Sequence, residues 1–182
     1  MTSDQAKRTF DVNTLSILRV AKAVIPSMVE RKQGLIINIG SVAGNIPIAW
    51  NGLYGAAKAA VHALSDILAM ECKPFGVKVM LVAPGSVKSN ICANQAATLE
   101  LLPTSIYKAY FDRVYECMYA SQGKGSMPTN EFARRVVAKA LSPSPPGYMT
   151  LGGSARLCAF FQWLPRQLVI WIMGSWFVWR KG

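Results

Sequence analysis

Leu35-Ile-Ile-Asn-Ile-Gly-Ser41-Val-Ala-Gly44 and, after a loop, Leu53-Tyr54-Gly-Ala-Ala-Lys58-Ala-Ala decide how this chain folds. The first stretch is a continuous apolar run ending at a hydroxyl, the pattern of a parallel strand covered on both faces. The second is a helix of small residues that presents a phenol and an ammonium one turn apart on the same face. Strand, loop and helix in that order bring Ser41, Tyr54 and Lys58 to one end of a sheet. That arrangement can move a proton to or from an alcohol oxygen.

The flanking sequence extends the same alternation. Residues 14–32 read as a helix with Leu15, Leu18, Ala21, Ile25 and Met28 apolar, Pro26 bending it or loosening a turn, and Gly34 stopping it. Residues 52–73 form a second long helix ending at Lys73-Pro74, and Val77–Val82 a second buried strand broken by Ala83-Pro84-Gly85. Residues 90–122 read as less regular helix, rich in Met, Tyr and Leu. A helix over 131–141 starts with Thr129 or Asn130 as its cap. Ser142–Gly147 is a turn and Tyr148–Leu151 a short third strand. The pattern predicts an α/β layer fold on a parallel sheet.

Composition bounds the function. The 182 residues are 52% hydrophobic and 16% charged, too apolar for disorder and enough for one domain-sized core. The net charge is +11, but the 20 Lys and Arg are scattered with no basic run among aromatics, which argues against nucleic acid. A phosphate-bearing cofactor or an anionic membrane surface accounts for the charge. Cys72, Cys92, Cys117 and Cys158 lie far apart with no Cys-x-x-Cys pair, and read as reduced core or surface thiols in a cytosol-facing protein. With one histidine besides, no metal site is expected. The polar start, Met-Thr-Ser-Asp-Gln-Ala-Lys-Arg, is not a signal peptide.

In open parallel sheets ligands sit beyond the carboxyl ends of the strands. Ser41 lies just past the first strand and Pro84-Gly85-Ser86-Val87 just past the second. From Asp11-Val-Asn13 to about Gly153, the order and spacing of these motifs resemble the short-chain dehydrogenase/reductase family. The resemblance implies the C-terminal part of a doubly wound Rossmann-type sheet. It also implies a catalytic tetrad of Asn13, Ser41, Tyr54 and Lys58. Tyr54 would be the general acid/base, its pKa lowered by the nearby Lys58 ammonium. Ser41 would hydrogen-bond the substrate oxygen. Lys58 would also hold the nicotinamide ribose, and Asn13 would order a water linking Lys58 to solvent. Pro84, Gly85 and Val87 belong to the implied nicotinamide-side loop, and Ser89 matches a position that contacts the cofactor. Taken singly, Tyr54 and Lys58 are an ordinary amphipathic pair, Ser41 a turn residue and Asn13 a helix cap. Only their joint register points to chemistry. His62, one turn beyond Lys58, reads as packing or surface.

The family opens with a strand, a glycine-rich turn and a helix whose N-terminus receives a pyrophosphate. This sequence has no such turn: its early glycines, Gly34, Gly40 and Gly44, follow the first recognisable strand. The first mononucleotide-binding half, on the order of a hundred residues, is therefore expected to be missing, through a fragment, a misplaced start codon or a splice form. Leu35–Ile39 would then be an apolar edge prone to aggregation. Cofactor binding by this chain alone would be weak or absent. The choice between NADP and NAD, read in the missing half, stays open.

Residues 1–155 are thus expected to form a partial catalytic domain and 156–182 a hydrophobic helical tail. Tyr107, Tyr110, Phe111, Tyr115, Met118 and Tyr119 occupy the family's substrate-lid position and either line an apolar cleft or pack as helix core. Gln167–Trp179 carries no charge but is shorter as a helix than a bilayer core is thick. Its tryptophans and Arg180-Lys181 suit a membrane interface, so association with one leaflet is expected rather than burial against the domain. The stretch Glu71-Cys-Lys-Pro-Phe-Gly-Val, the loop after Pro84 and the aromatic tail are similar to fungal acyl-dihydroxyacetone-phosphate reductases. That resemblance implies NADPH, a lipid ketone substrate, and a cytosol-facing place on the endoplasmic reticulum or lipid droplets. Related members act on steroids or retinol. Helices 14–32 and 54–73 are those the family uses for its subunit interface, which implies a homodimer. A non-catalytic membrane-bound or dimerising module is the alternative.

Overall fold

A computed structural model describes residues 2–97 and 99–179. Three strands form one parallel sheet in the order β1 (Gly34–Ile39), β2 (Val77–Pro84) and β3 (Tyr148–Leu151). Leu35 pairs with Lys78 and Ile39 with Val82, while Val82 pairs with Met149. β2 is central, and Met80, Val82 and Ala83 are fully buried. The fold is the α/β parallel sheet with flanking helices that the alternation predicts.

The helical layer begins earlier than expected. Helix α1 (Ser3–Phe10) opens at Thr2, which shares a capping box with Gln5. It runs through a wider π-helical turn, Asp11–Leu15, into α2 (Ser16–Glu30). The polar start of the sequence is therefore helix, and the predicted boundary at residue 14 falls inside one continuous element. Pro26 does not end it. Asn13, expected early in its helix, instead sits in the π-helical turn.

Side-chain alternation along the strands divides the core in two. Ile36, Val77 and Val79 point to one face and pack with Ala21, Ile25 and Met28 of α2 and with Leu68 and Cys72 of α3 (Gly52–Cys72). Met80, Val82 and Leu151 point to the other and pack with Phe132 and Val136 of helix Thr129–Ala140. That helix starts after Pro128 rather than at a Thr129 or Asn130 cap. Thr129 uses its hydroxyl on the Lys88 carbonyl instead.

β1 departs from the expected strand covered on both faces. Ile37 is 37% exposed and Ile39 42%, while Leu35 on the same face packs against the cluster of Met80, Val82 and Val136. On the covered face Asn38 is buried and donates from Nδ2 to Ser65 Oγ at 2.9 Å. Residues 90–122 contain two short helices, α4 (Ile91–Ala96) and α5 (Phe111–Tyr119), separated by non-helical chain and a single 3₁₀ turn.

The C-terminal region folds back onto the sheet end. Helices Ala155–Phe161 and Arg166–Phe177 bury Phe161, Val169 and Met173 around Ile46, with Ile48, Leu164 and Phe177 packed beside them. One side of this segment stays open: Trp163 is 88% exposed and Trp171 59%. The segment therefore has a face packed on the domain and an aromatic face turned outward. Arg180 and Lys181 lie outside the described residues.

Candidate active site

β1 delivers Ser41. The Gly40 N–H bonds the Val82 carbonyl at 2.7 Å, so the ladder holds until one residue before the hydroxyl. Ser41 then accepts from the Ala43 N–H at 3.1 Å and caps the 3₁₀ turn Val42–Gly44. Tyr54 lies in the first turn of α3 and Lys58 one turn later. Thr14, buried in the π-helical turn, ties that helix to α3 through its hydroxyl on the Ala57 carbonyl at 3.0 Å. Sequence reasoning passed over Thr14, which carries no pattern of its own.

Ser41 and Tyr54 line one cleft of about 350 Å³ beyond the carboxyl ends of β1 and β2. Pro84, Gly85, Val87 and Ser89 line it too. The loop that carries them is fixed by the β3 side. Gly85 bonds the Leu151 carbonyl at 2.9 Å, and Ser86 exchanges two backbone bonds with Gly153. A Cβ on Gly85 would lie 2.2 Å from the Gly153 oxygen, so the close approach requires glycine there. Gln122 secures the far end, accepting from the Ser89 N–H at 3.0 Å and donating to the Val87 carbonyl at 3.3 Å. No sequence signal marks Gln122.

The other two tetrad residues open elsewhere. Lys58 Nζ donates to the Ile39 carbonyl at 2.9 Å and stands 5.7 Å from the centre of the Tyr54 ring. It lines a separate groove with Asn13, Ile37 and Ile39. Asn13 donates from Nδ2 to the Thr9 carbonyl at 3.0 Å, within its own helix. The structure thus brings Ser41 and Tyr54 into one cleft and sets Lys58 and Asn13 on the groove beside it.

Burial dominates the electrostatics. It pushes the Tyr54 phenol above its ordinary range, with hydrogen bonding from the Ser41 side chain partly offsetting the rise and nearby Cys92 adding to it. It pushes the Lys58 ammonium below its ordinary range. The expected lowering of Tyr54 by Lys58 is therefore reversed: taking the phenol out of water costs its charged form more than its surroundings return. At neutral pH the phenol holds its proton.

The remaining wall of the cleft corrects the expected lid. Of its six aromatic and methionine residues only Met118 lines the cleft. Leu157, Phe161, Met173 and Trp176, from the segment expected on a membrane, line it instead. Trp50 joins the parts at the rim. It holds a left-handed backbone at φ 66°, contacts the rings of Tyr107 and Tyr110 at 5.6 and 5.5 Å, and donates from its indole to the Phe177 carbonyl at 3.4 Å. The cleft is largely apolar, and Ser41 and Tyr54 are among the hydroxyl residues that line it.

A family model described as short chain dehydrogenase matches residues 1–100. The short-chain dehydrogenase RED1 of Pyricularia oryzae is 29% identical over 95% of this chain and 61% of its own length. A 3-ketodihydrosphingosine reductase of Bacteroides thetaiotaomicron is 28% identical over 92% of this chain and 63% of its own. The chain spans less than two thirds of these relatives. Among solved structures, a short-chain dehydrogenase from Streptomyces avermitilis superposes with a TM-score of 0.72 at 26% identity, covering 96% of this chain and 62% of that one. The closed form of a serine dehydrogenase complexed with NADP+ does so at 0.68 and 25%, covering 84% and 57%.

Proposed function

The chain belongs to the short-chain dehydrogenase family, and on that basis we propose that it reduces a ketone with an apolar substituent, Tyr54 acting as general acid. The observation that carries the reading is that Ser41 and Tyr54 line the same largely apolar cleft beyond the ends of β1 and β2. A carbonyl oxygen received between them gains a hydrogen bond from Ser41 and a proton from Tyr54 as negative charge develops on it. Burial raises the Tyr54 pKa, so the phenol carries the proton that reduction requires. Lys58 holds its charge against the Tyr54 ring and orders that side of the site.

The residues fit the nicotinamide and ribose end of a dinucleotide. The loop at Pro84–Ser89 presents backbone and hydroxyl groups to the cleft, and Lys58 has donors beyond the one bonded to Ile39. When bound, the nicotinamide supplies the hydride. None of the chain's glycines forms the Gly-x-x-x-Gly-x-Gly turn that would cradle the pyrophosphate. NADPH is the proposed donor, following the acyl-dihydroxyacetone-phosphate reductase resemblance.

The substrate is proposed to be a lipid ketone. The apolar wall from Leu157 to Trp176 supports this, and so does similarity to a protein named as a 3-ketodihydrosphingosine reductase. The outward aromatic face at Trp163 and Trp171 supports contact with a membrane surface. The exposed Leu18, Val20, Ile67 and Met70 on α2 and α3 support a homodimer.

The deciding assay follows NADPH consumption with acyl-dihydroxyacetone phosphate, a steroid ketone and retinal, using the parent chain and Tyr54→Phe. Turnover of one ketone that Tyr54→Phe abolishes supports the reading. Equal rates in the two proteins would overturn it. A non-catalytic module predicts no turnover with any ketone.

A further inference from the structure

We propose that His62 is a positioning residue for Ser41: as a neutral imidazole it accepts the Ser41 backbone N–H and fixes the turn that aims the Ser41 hydroxyl into the cleft. His62 is buried on α3, 7% exposed, and its Nε2 lies 3.3 Å from the Ser41 nitrogen. A backbone N–H can only donate, so Nε2 must carry a lone pair. On the other side of the ring, Nδ1 lies 2.9 Å from Asn45 Oδ1, which can only accept. Nδ1 must therefore carry the proton. The Asn45 amide is itself oriented by a bond from its Nδ2 to the Tyr148 hydroxyl at 3.2 Å. The two partners demand opposite roles of the ring, and one tautomer satisfies both.

The surrounding backbone is shaped to this ring. A Cβ on Gly40 would lie 2.4 Å from His62 Nε2, and one on Gly44 2.9 Å from its Cε1. The turn on either side of Ser41 thus closes on the imidazole without side chains between. The charged groups near His62 are Lys58 and Asp66, on α3 before and after it; among the described residues its polar partners from the turn and β3 are Ser41, Asn45 and, through Asn45, the Tyr148 hydroxyl. Burial, the largest influence, lowers its pKa and Lys58 assists, while Asp66 and hydrogen bonding with the Ser41 backbone oppose; the net shift is downward, toward the neutral ring. Imidazolium has no lone pair for the Ser41 N–H, so acid unlatches the turn.

The test has two arms. In the first, the nitrogen resonances of a labelled full-length chain report the tautomer, and the Ser41 amide is followed as pH falls. Expected are a proton on Nδ1 and a Ser41 amide that shifts with the His62 titration. A proton on Nε2, or a Ser41 amide indifferent to that titration, would overturn the proposal. This arm needs no turnover, so it stands apart from the reductase reading. In the second, His62→Leu is compared with His62→Gln, whose Oε1 can still accept the N–H. With a ketone the parent reduces, kcat should fall about ten- to hundredfold in the first at near-constant KM, and clearly less in the second. Equal losses in both would count against a positioning role. Should His62→Leu fail to fold, the resonance arm decides.

Discussion

The Lys58 ammonium stands over the Tyr54 ring, 5.7 Å from its centre, while its own hydrogen bond goes to the Ile39 carbonyl. Lys58 is thus anchored to the end of β1 and meets the ring of Tyr54. The pair forms a unit in which burial works on both members in opposite senses.

Alkaline stability follows from that opposition. The folded pKa of Tyr54 is raised, so its contribution is full below the ordinary value of 10.0 and lost as pH rises through the raised one. The folded pKa of Lys58 is lowered, so its contribution is present above the ordinary 10.5 and lost as pH falls through the lowered one. Tyr54→Phe should therefore hold stability better than the parent at high pH, and Lys58→Met should steepen the decline. Urea midpoints at stepped alkaline pH measure both; superimposable profiles for parent and Tyr54→Phe would refute the effect.

Cys117 should be an unreactive thiol. Burial pushes it up to about 11, and its Sγ faces the Ala49 carbonyl at 3.5 Å. Near pH ~8, close to the ordinary thiol range, iodoacetamide should leave Cys117 unmodified in the folded chain and modify it after denaturation. Peptide mass mapping reads the difference; rapid native labelling of Cys117 would contradict it.

Met173 is buried where the C-terminal segment meets Ile46 and the cleft. Met173→Ala should cost about 2–5 kcal/mol of stability and enlarge the chamber. Thermal unfolding gives the first quantity. The second appears as a shift in relative kcat/KM toward bulkier ketones; an unchanged preference order would detach Met173 from substrate selection.

Asn38 and Ser65 form a buried polar pair between β1 and α3, and Ser65 also donates to the Val61 carbonyl at 2.7 Å. Removing Ser65 leaves an amide donor without a partner. Ser65→Ala should destabilise by about 1–3 kcal/mol, and Asn38→Ala with Ser65→Ala together by less than the sum. Denaturant unfolding of the three variants tests the coupling, and strict additivity would exclude it.

The strand and helix layer was legible because its signals are local. Apolar runs at Leu35–Ile39 and Val77–Val82, with helical periodicity between them, need no knowledge of the rest of the chain. The start of the first helix was missed because a capping box at Thr2 and Gln5 outweighed a polar composition. Ser41 and Tyr54 meet at one cleft as their spacing implied. His62 reads from sequence as packing or surface because its two hydrogen bonds, to Ser41 and Asn45, are encoded by no spacing rule. The C-terminal segment was only half legible for a related reason. An apolar helix with exposed tryptophans has the same composition whether its other face meets lipid or Ile46.

The contact between Met173 and Ile46 also sets an order of assembly. Sheet neighbours β1 and β2, with α3 between them, can pair while the C-terminus is still being synthesised. The cleft wall cannot, because it is made by the last helix of the described chain. During synthesis the Ser41 and Tyr54 hydroxyls therefore lack this wall until helix Arg166–Phe177 emerges, and the chamber matures after the layer that supports it.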